Sequence, residues 1–201
     1  MTPARVAPFF VVGALALGAC ASEEGIVEVY WEIENAELER IFPQGLRSDS
    51  CGFESESGIR FDLEVQLTIA ENSTACAEGW DTSDCAVIEQ LSFDCARSRG
   101  TATAVPISAS GDEDPGYLMF AELTMNPTDS AAFVPIAACM AGPGPRVRRV
   151  LPGRITDLEV YQFVFHALDP GKQGLVDIDL CRGDDEADSI DTGSTDSETS
   201  G

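Results

Sequence analysis

This sequence predicts an all-β fold, a two-sheet antiparallel sandwich, on three observations. The run from Ile59 to Ile69 alternates apolar and polar residues without an error, which is the period-2 signature of a strand with one buried face. Comparable runs recur along the chain, and Pro/Gly turns separate them rather than helical segments, so no βαβ alternation exists. Six cysteines beyond residue 20 add a disulfide framework suited to an exported domain. The 201 residues with 44% hydrophobic content are enough for one domain with its own core.

The elements follow in chain order. Val27, Val29, Trp31 and Ile33 alternate with Glu28, Tyr30, Glu32 and Glu34, a strand with an acidic outer face. Ala36 to Phe42 is the one helix candidate, and it is short. After the strand at Ile59–Ile69, further strands are expected at Val87–Cys95, Thr101–Ser108, Tyr117–Met125, Phe133–Met140, Ile155–Leu168 and Leu175–Cys181. Val160 to Phe165 is apolar on nearly both faces, which predicts a central strand. Pro106 and Pro135 lack an N–H for the ladder, which demotes their strands to edges or bulges. Asp114-Pro115-Gly116, Asp169-Pro170-Gly171, Gly142-Pro143-Gly144-Pro145 and Pro152-Gly153 supply the turns. Both an immunoglobulin-like and a transthyretin-like topology fit this pattern.

The N-terminus carries an address. Arg5 is followed by an apolar run from Val6 to Ala19, too short for a transmembrane helix, which needs about 20 residues. A positive head, an apolar middle and small residues at the end describe a secretory signal peptide over 1–19. Its ending, Leu17-Gly18-Ala19-Cys20, resembles the lipobox of bacterial lipoproteins. The resemblance implies that Cys20 receives diacylglycerol and becomes the mature N-terminus. It also implies that Ala21 and Ser22, standing where an Asp would favour inner-membrane retention, direct the protein to the outer membrane. The remainder of the chain is similar only to uncharacterised, lineage-specific lipoproteins, and that similarity implies no activity.

The organisation is then a signal peptide (1–19), the lipidated Cys20 and a short tether (20–25), a β-sandwich domain (26–181) and an acidic tail (182–201). The tail has seven acids after Arg182 and one large apolar residue, Ile190, so it lacks the surface to offset its ordering entropy and is expected to be disordered. Cys51, Cys76, Cys85, Cys95, Cys139 and Cys181 form an even set for three disulfides. Cys76 with Cys85 across a polar loop, and Cys139 with Cys181, are the expected pairs. With no C-x-x-C and a single His, neither a zinc site nor haem attachment is expected.

Charge narrows the function. Thirty-five acids against 12 cations give a formal net charge of -23, which argues against a nucleic-acid partner. His166 is the only imidazole and ends an apolar strand, and no nucleophile turn is present, so no catalytic residues are assigned. No cofactor or metal is expected either. The cations cluster instead: Arg146, Arg148, Arg149 and Arg154 stand within nine residues. One reading is charge balance with Asp157 and Glu159, or shielding of an edge strand. The other is bidentate recognition of a carboxylate or phosphate on a partner. The acidic runs Gly111–Asp114 and Asp177, Asp179, Asp184, Asp185 offer oxygen ligands for calcium but match no calcium-loop motif. The expected function is a lipid-anchored, non-catalytic envelope protein that binds a protein partner or serves a structural role. The alternatives are a calcium- or carbohydrate-binding sandwich and a carboxylate-dependent hydrolase.

Overall fold

A computed structural model describes residues 24–43, 51–108, 115–169 and 175–183. In chain order its elements are β1 (Glu24–Asn35), β2 (Arg40–Phe42), β3 (Gly52–Glu54), β4 (Arg60–Glu71), α1 (Thr74–Ala77), β5 (Val87–Asp94), a 3₁₀ turn (Cys95–Arg97) and β6 (Arg99–Pro106). They continue with β7 (Tyr117–Pro127), β8 (Met140–Ala141), β9 (Arg146–Arg148), β10 (Ile155–Phe165), β11 (Leu168–Asp169), β12 (Leu175–Val176) and α2 (Ile178–Arg182).

Two five-stranded sheets are built around the two longest strands. In the first, β1 pairs with β10 on one side and with β6 and then β2 on the other, while β8 joins the far end of β10. In the second, β4 pairs with β7 on one side and with β3 and β5 on the other, and β9 lies beyond β7. The β1–β10 pairing is parallel and the other pairings within these sheets are antiparallel.

Alternation along each strand sets which face is dry. Val27, Val29, Trp31 and Ile33 of β1 point inward, and so do Phe61, Leu63, Val65, Leu67 and Ile69 of β4; all are buried in one core. The Trp31 indole N–H would be stranded there, but it donates to the carbonyl of Cys95 at 2.8 Å. The chain crosses from the second sheet to the first through the 3₁₀ turn after β5. Gly100 is required just beyond it, because a Cβ at that position would lie 2.4 Å from the Phe93 ring.

Three disulfides fasten this frame: Cys51–Cys95 at the sheet crossing, Cys76–Cys85 across the α1 loop, and Cys139–Cys181 between the approach to β8 and α2. The last two are the expected pairs. Such a framework belongs to a protein that matures in an oxidising compartment outside the cytosol.

Four expectations change. Ala36–Phe42 forms no helix: the Asn35 side chain accepts from the N–H groups of Glu37 (3.1 Å) and Glu39 (2.8 Å), closing a tight turn into β2. Of Phe133–Met140 only Met140 enters a strand, β8; the rest is irregular and touches β7 through a single bridge at Phe133, since Pro135 breaks any ladder. Leu175–Cys181 holds only the two residues of β12 before α2 begins. Asp177 caps that helix by accepting from Leu180 N at 3.1 Å, and Gly183 ends it in the left-handed conformation. Finally, β10 is central only at Val164 and Phe165, where β8 pairs with it. Over Leu158–Gln162 no strand among the described residues pairs with its outer side.

Candidate functional site

The arginine stretch lies where the two sheets open toward each other at one edge. β9 pairs with β7 in the register Met119↔Arg146, Leu118↔Val147 and Tyr117↔Arg148, so Arg146 and Arg148 share a face. From the edge of the second sheet the Arg146 guanidinium reaches the bare edge of β10. It donates to the carbonyl of Leu158, and to that of Val160 at 2.7 Å. It also lies 4.2 Å from the centre of the Tyr161 ring. Tyr161 crosses in the opposite direction, its hydroxyl donating to Met119 O at 3.0 Å. Burial pushes this phenol up to about 12, with Arg146 and Arg148 opposing the shift.

A bulge in β10 brings the counter-charge. Val29 alone faces Leu158 and Glu159, because the register steps from Glu28↔Asp157 to Tyr30↔Val160. Glu159 adopts φ +62 and donates its N–H to the Asp157 carboxylate at 2.7 Å. Its own carboxylate then stands 3.8 Å from Arg146 and 3.5 Å from Arg148. Two arginines therefore work as an internal clasp, with Glu159 rather than Asp157 as their partner. The other two stay at the surface. Arg149 is exposed, and Arg154 is exposed in a loop pinned to β1 by Gly153 N→Glu24 O (3.3 Å) and Ile26 N→Arg154 O (3.1 Å).

The other sequence candidates are dispersed. Cys20, Gly111–Asp114, Asp184, Asp185 and the tail beyond residue 183 lie outside the described residues. His166 is exposed, with its backbone N–H on Cys139 O at 2.8 Å. Asp177 is occupied as the cap of α2, and Asp179 pairs with Arg182 at 4.0 Å. Among the described residues no three His, Cys, Asp or Glu side chains come together in a way that could hold a metal ion. No described helix is long and apolar enough to cross a membrane.

One feature has no signature in the sequence. Alongside β7, between β9 and the Phe133 bridge, runs a groove of about 250 Å³ walled by Val134, Pro135, Gly142, Pro143 and Phe163. Glu122 stands at its rim with its carboxylate 2.6 Å from the Trp80 indole nitrogen. Partial burial raises the carboxyl's pKa, and the indole hydrogen bond opposes the rise. The groove arises from long-range packing of segments far apart in sequence, so no local pattern announces it.

Comparison with known proteins adds little to this geometry. No protein-family model and no curated protein matches the chain. Among solved structures, the shaft pilin SpaA from Lactobacillus rhamnosus GG, crystallised as a double mutant, is similar over 71% of this chain at 9% identity. The TM-score is 0.32, and the chain spans about half (52%) of the pilin's length. At that score the likeness assigns neither topology nor role. The sandwich is defined by its own strand pairings.

Proposed function

We propose that this chain is a lipid-anchored protein of the bacterial cell envelope whose role is to bind a protein partner or to serve as a structural component, without catalysis. The observation that carries the reading is the Leu17-Gly18-Ala19-Cys20 ending behind a signal-like segment. The three disulfides support export independently of it. Cys20 carries the acyl chains, and Ala21 and Ser22 direct the protein to the outer membrane. Strand β1 begins at Glu24, four residues beyond Cys20, so lipidation there would hold this strand close to the bilayer. Of the arginine stretch, Arg154 is exposed in the loop before β10 and is placed to meet an acidic partner.

The test is affinity capture of the native protein from gently solubilised envelopes, with Cys20→Ala as the control. A stoichiometric companion that is lost with the control supports an anchored assembly component. A protein captured alone, or a Cys20→Ala variant that still partitions with membranes, contradicts it.

A further inference from the structure

The loop between β9 and β10 is fixed to the start of β1 by its own backbone. Val150 is fully buried as its plug, and the Val150 carbonyl accepts from Ser108 N at 3.2 Å. A Cβ on Gly25 would stand 2.5 Å from the Val150 side chain and 2.8 Å from Leu151 O, so the loop lies directly against β1. Gly153 N donates to Glu24 O at 3.3 Å, Ile26 N to Arg154 O at 3.1 Å, and Arg154 N closes the turn on Leu151 O at 3.2 Å. Every residue from Leu151 to Ile155 is nevertheless exposed. Leu151 keeps 41% of its surface open and Ile155 58%, and the exposed Arg154 stands between them.

We propose that this loop is a membrane contact: Leu151 and Ile155 enter the headgroup–acyl boundary of the bilayer that holds Cys20, and Arg154 pairs with a lipid phosphate. This contact rests on the lipid anchor proposed above and names the surface that meets the bilayer. Chain length carries it. Cys20 and Glu24 are four residues apart, a reach of at most about 14 Å, and Glu24 is hydrogen-bonded to the loop itself. The polar layer of a bilayer leaflet is about 5–8 Å deep, so a loop on so short a tether lies in it or immediately above it. Leu38, also exposed and apolar, follows the other end of the 12-residue β1, roughly 35 Å away.

The side chains suit that depth. Arginine lays its aliphatic stem along apolar surface while its head keeps a charge-assisted bond to phosphate. Electrostatic attraction does not recruit the domain, because the chain carries -23 and Glu24 and Asp157 are also exposed near the loop. The tether does. A short linker holds its two ends at about millimolar effective concentration, where contacts too weak to bind alone become populated.

The experiment couples the mature chain, through the Cys20 thiol and with its other cysteines oxidised, to a maleimide-headgroup lipid in vesicles of phosphatidylethanolamine and phosphatidylglycerol. Ile155→Trp or Leu38→Trp is the reporter, each in a Trp80→Phe background in which Trp31 stays buried. Ile155→Trp is expected to shift its emission to the blue and to be quenched by lipids brominated near the headgroup end of the acyl chain; Leu38→Trp is expected to do neither. Leu151→Ser and Arg154→Glu, each added to the Ile155→Trp chain, should weaken the quenching without lowering Tm, since both positions are exposed. The proposal is overturned if Ile155→Trp behaves as Leu38→Trp does, or if either added substitution leaves the quenching unchanged. It is also overturned if the blue shift is present without vesicles and depends on protein concentration, which would make the loop a contact between copies. The synthetic link stands in for native acylation, so the two failures separate. A native chain without lipid would remove the anchor and this contact with it, whereas no insertion beside a native lipid would remove the contact alone.

Discussion

Replacing Arg146 by Met keeps most of the aliphatic stem and removes the guanidinium that joins the two sheets. The change deletes two charge-assisted hydrogen bonds to the Leu158 and Val160 carbonyls and a cation–π contact with Tyr161. A hydrogen bond from a charged donor contributes about 1.5–3 kcal/mol, and a partly exposed cation–π contact about 0.5–1 kcal/mol. The Arg146 side chain keeps 22% of its surface open, and discounting the sum of about 3.5–7 kcal/mol for solvent screening leaves roughly 2–4 kcal/mol. For a domain of this size that corresponds to a fall in Tm on the order of 5–12 °C. Urea unfolding followed by Trp fluorescence measures it, with the m-value expected to stay constant. Arg148→Met is the internal control, because its pair with Glu159 is more exposed and contributes about 1 kcal/mol or less. If Arg146→Met lies within ~0.5 kcal/mol of wild type, or matches Arg148→Met, the clasp is not what closes this edge.

Other expectations follow from the same contacts. Because the Tyr161 phenol is raised above its unfolded value of about 10, the unfolded chain loses its proton first, and stability falls as pH rises from about 10 toward 12. Tyr161→Phe should flatten that limb of the pH–stability curve while costing about 1 kcal/mol at neutral pH for the lost bond to Met119. Glu122 has the opposite consequence from a salt-bridged carboxylate. Its raised pKa means that ionisation opposes folding, so Glu122→Gln should raise Tm at pH 7 and lose that advantage below the unfolded carboxyl pKa. Loop length ranks the disulfides: removing Cys139–Cys181, whose ends are 42 positions apart, should cost up to about 4 kcal/mol. Removing Cys76–Cys85, whose ends are nine positions apart, should cost up to about 2.6 kcal/mol. Equal losses in denaturant titrations would count against the chain-entropy account.

Strands with one wet face were legible in the sequence because their cause is local. The alternation in β1 and β4 is written residue by residue, and the structure buries the expected members of each run. The Ala36–Phe42 and Leu175–Cys181 readings failed where a single polar side chain redirected the backbone. Asn35 closes a turn and Asp177 caps a helix, and both residues were visible as signals of that kind. The position of β10 was hidden for a different reason. Val160 to Phe165 is apolar on both faces, as a central strand would be, yet its uncovered stretch meets an arginine from another sheet instead of a strand. The Arg146 and Arg148 pairing with Glu159 could be anticipated from sequence proximity, but the bulge that turns Glu159 toward them could not. The groove was beyond reach because Ala121, Gly142 and Phe163 meet only after both sheets have assembled.

Mass spectrometry of the intact protein extracted from its native membrane addresses the anchored-envelope proposal most directly. A mature chain beginning at Cys20, heavier than its polypeptide by a diacylglyceryl group, is the predicted result. A chain that still carries residues 1–19, or one that begins at or beyond Cys20 with no lipid attached, would contradict it.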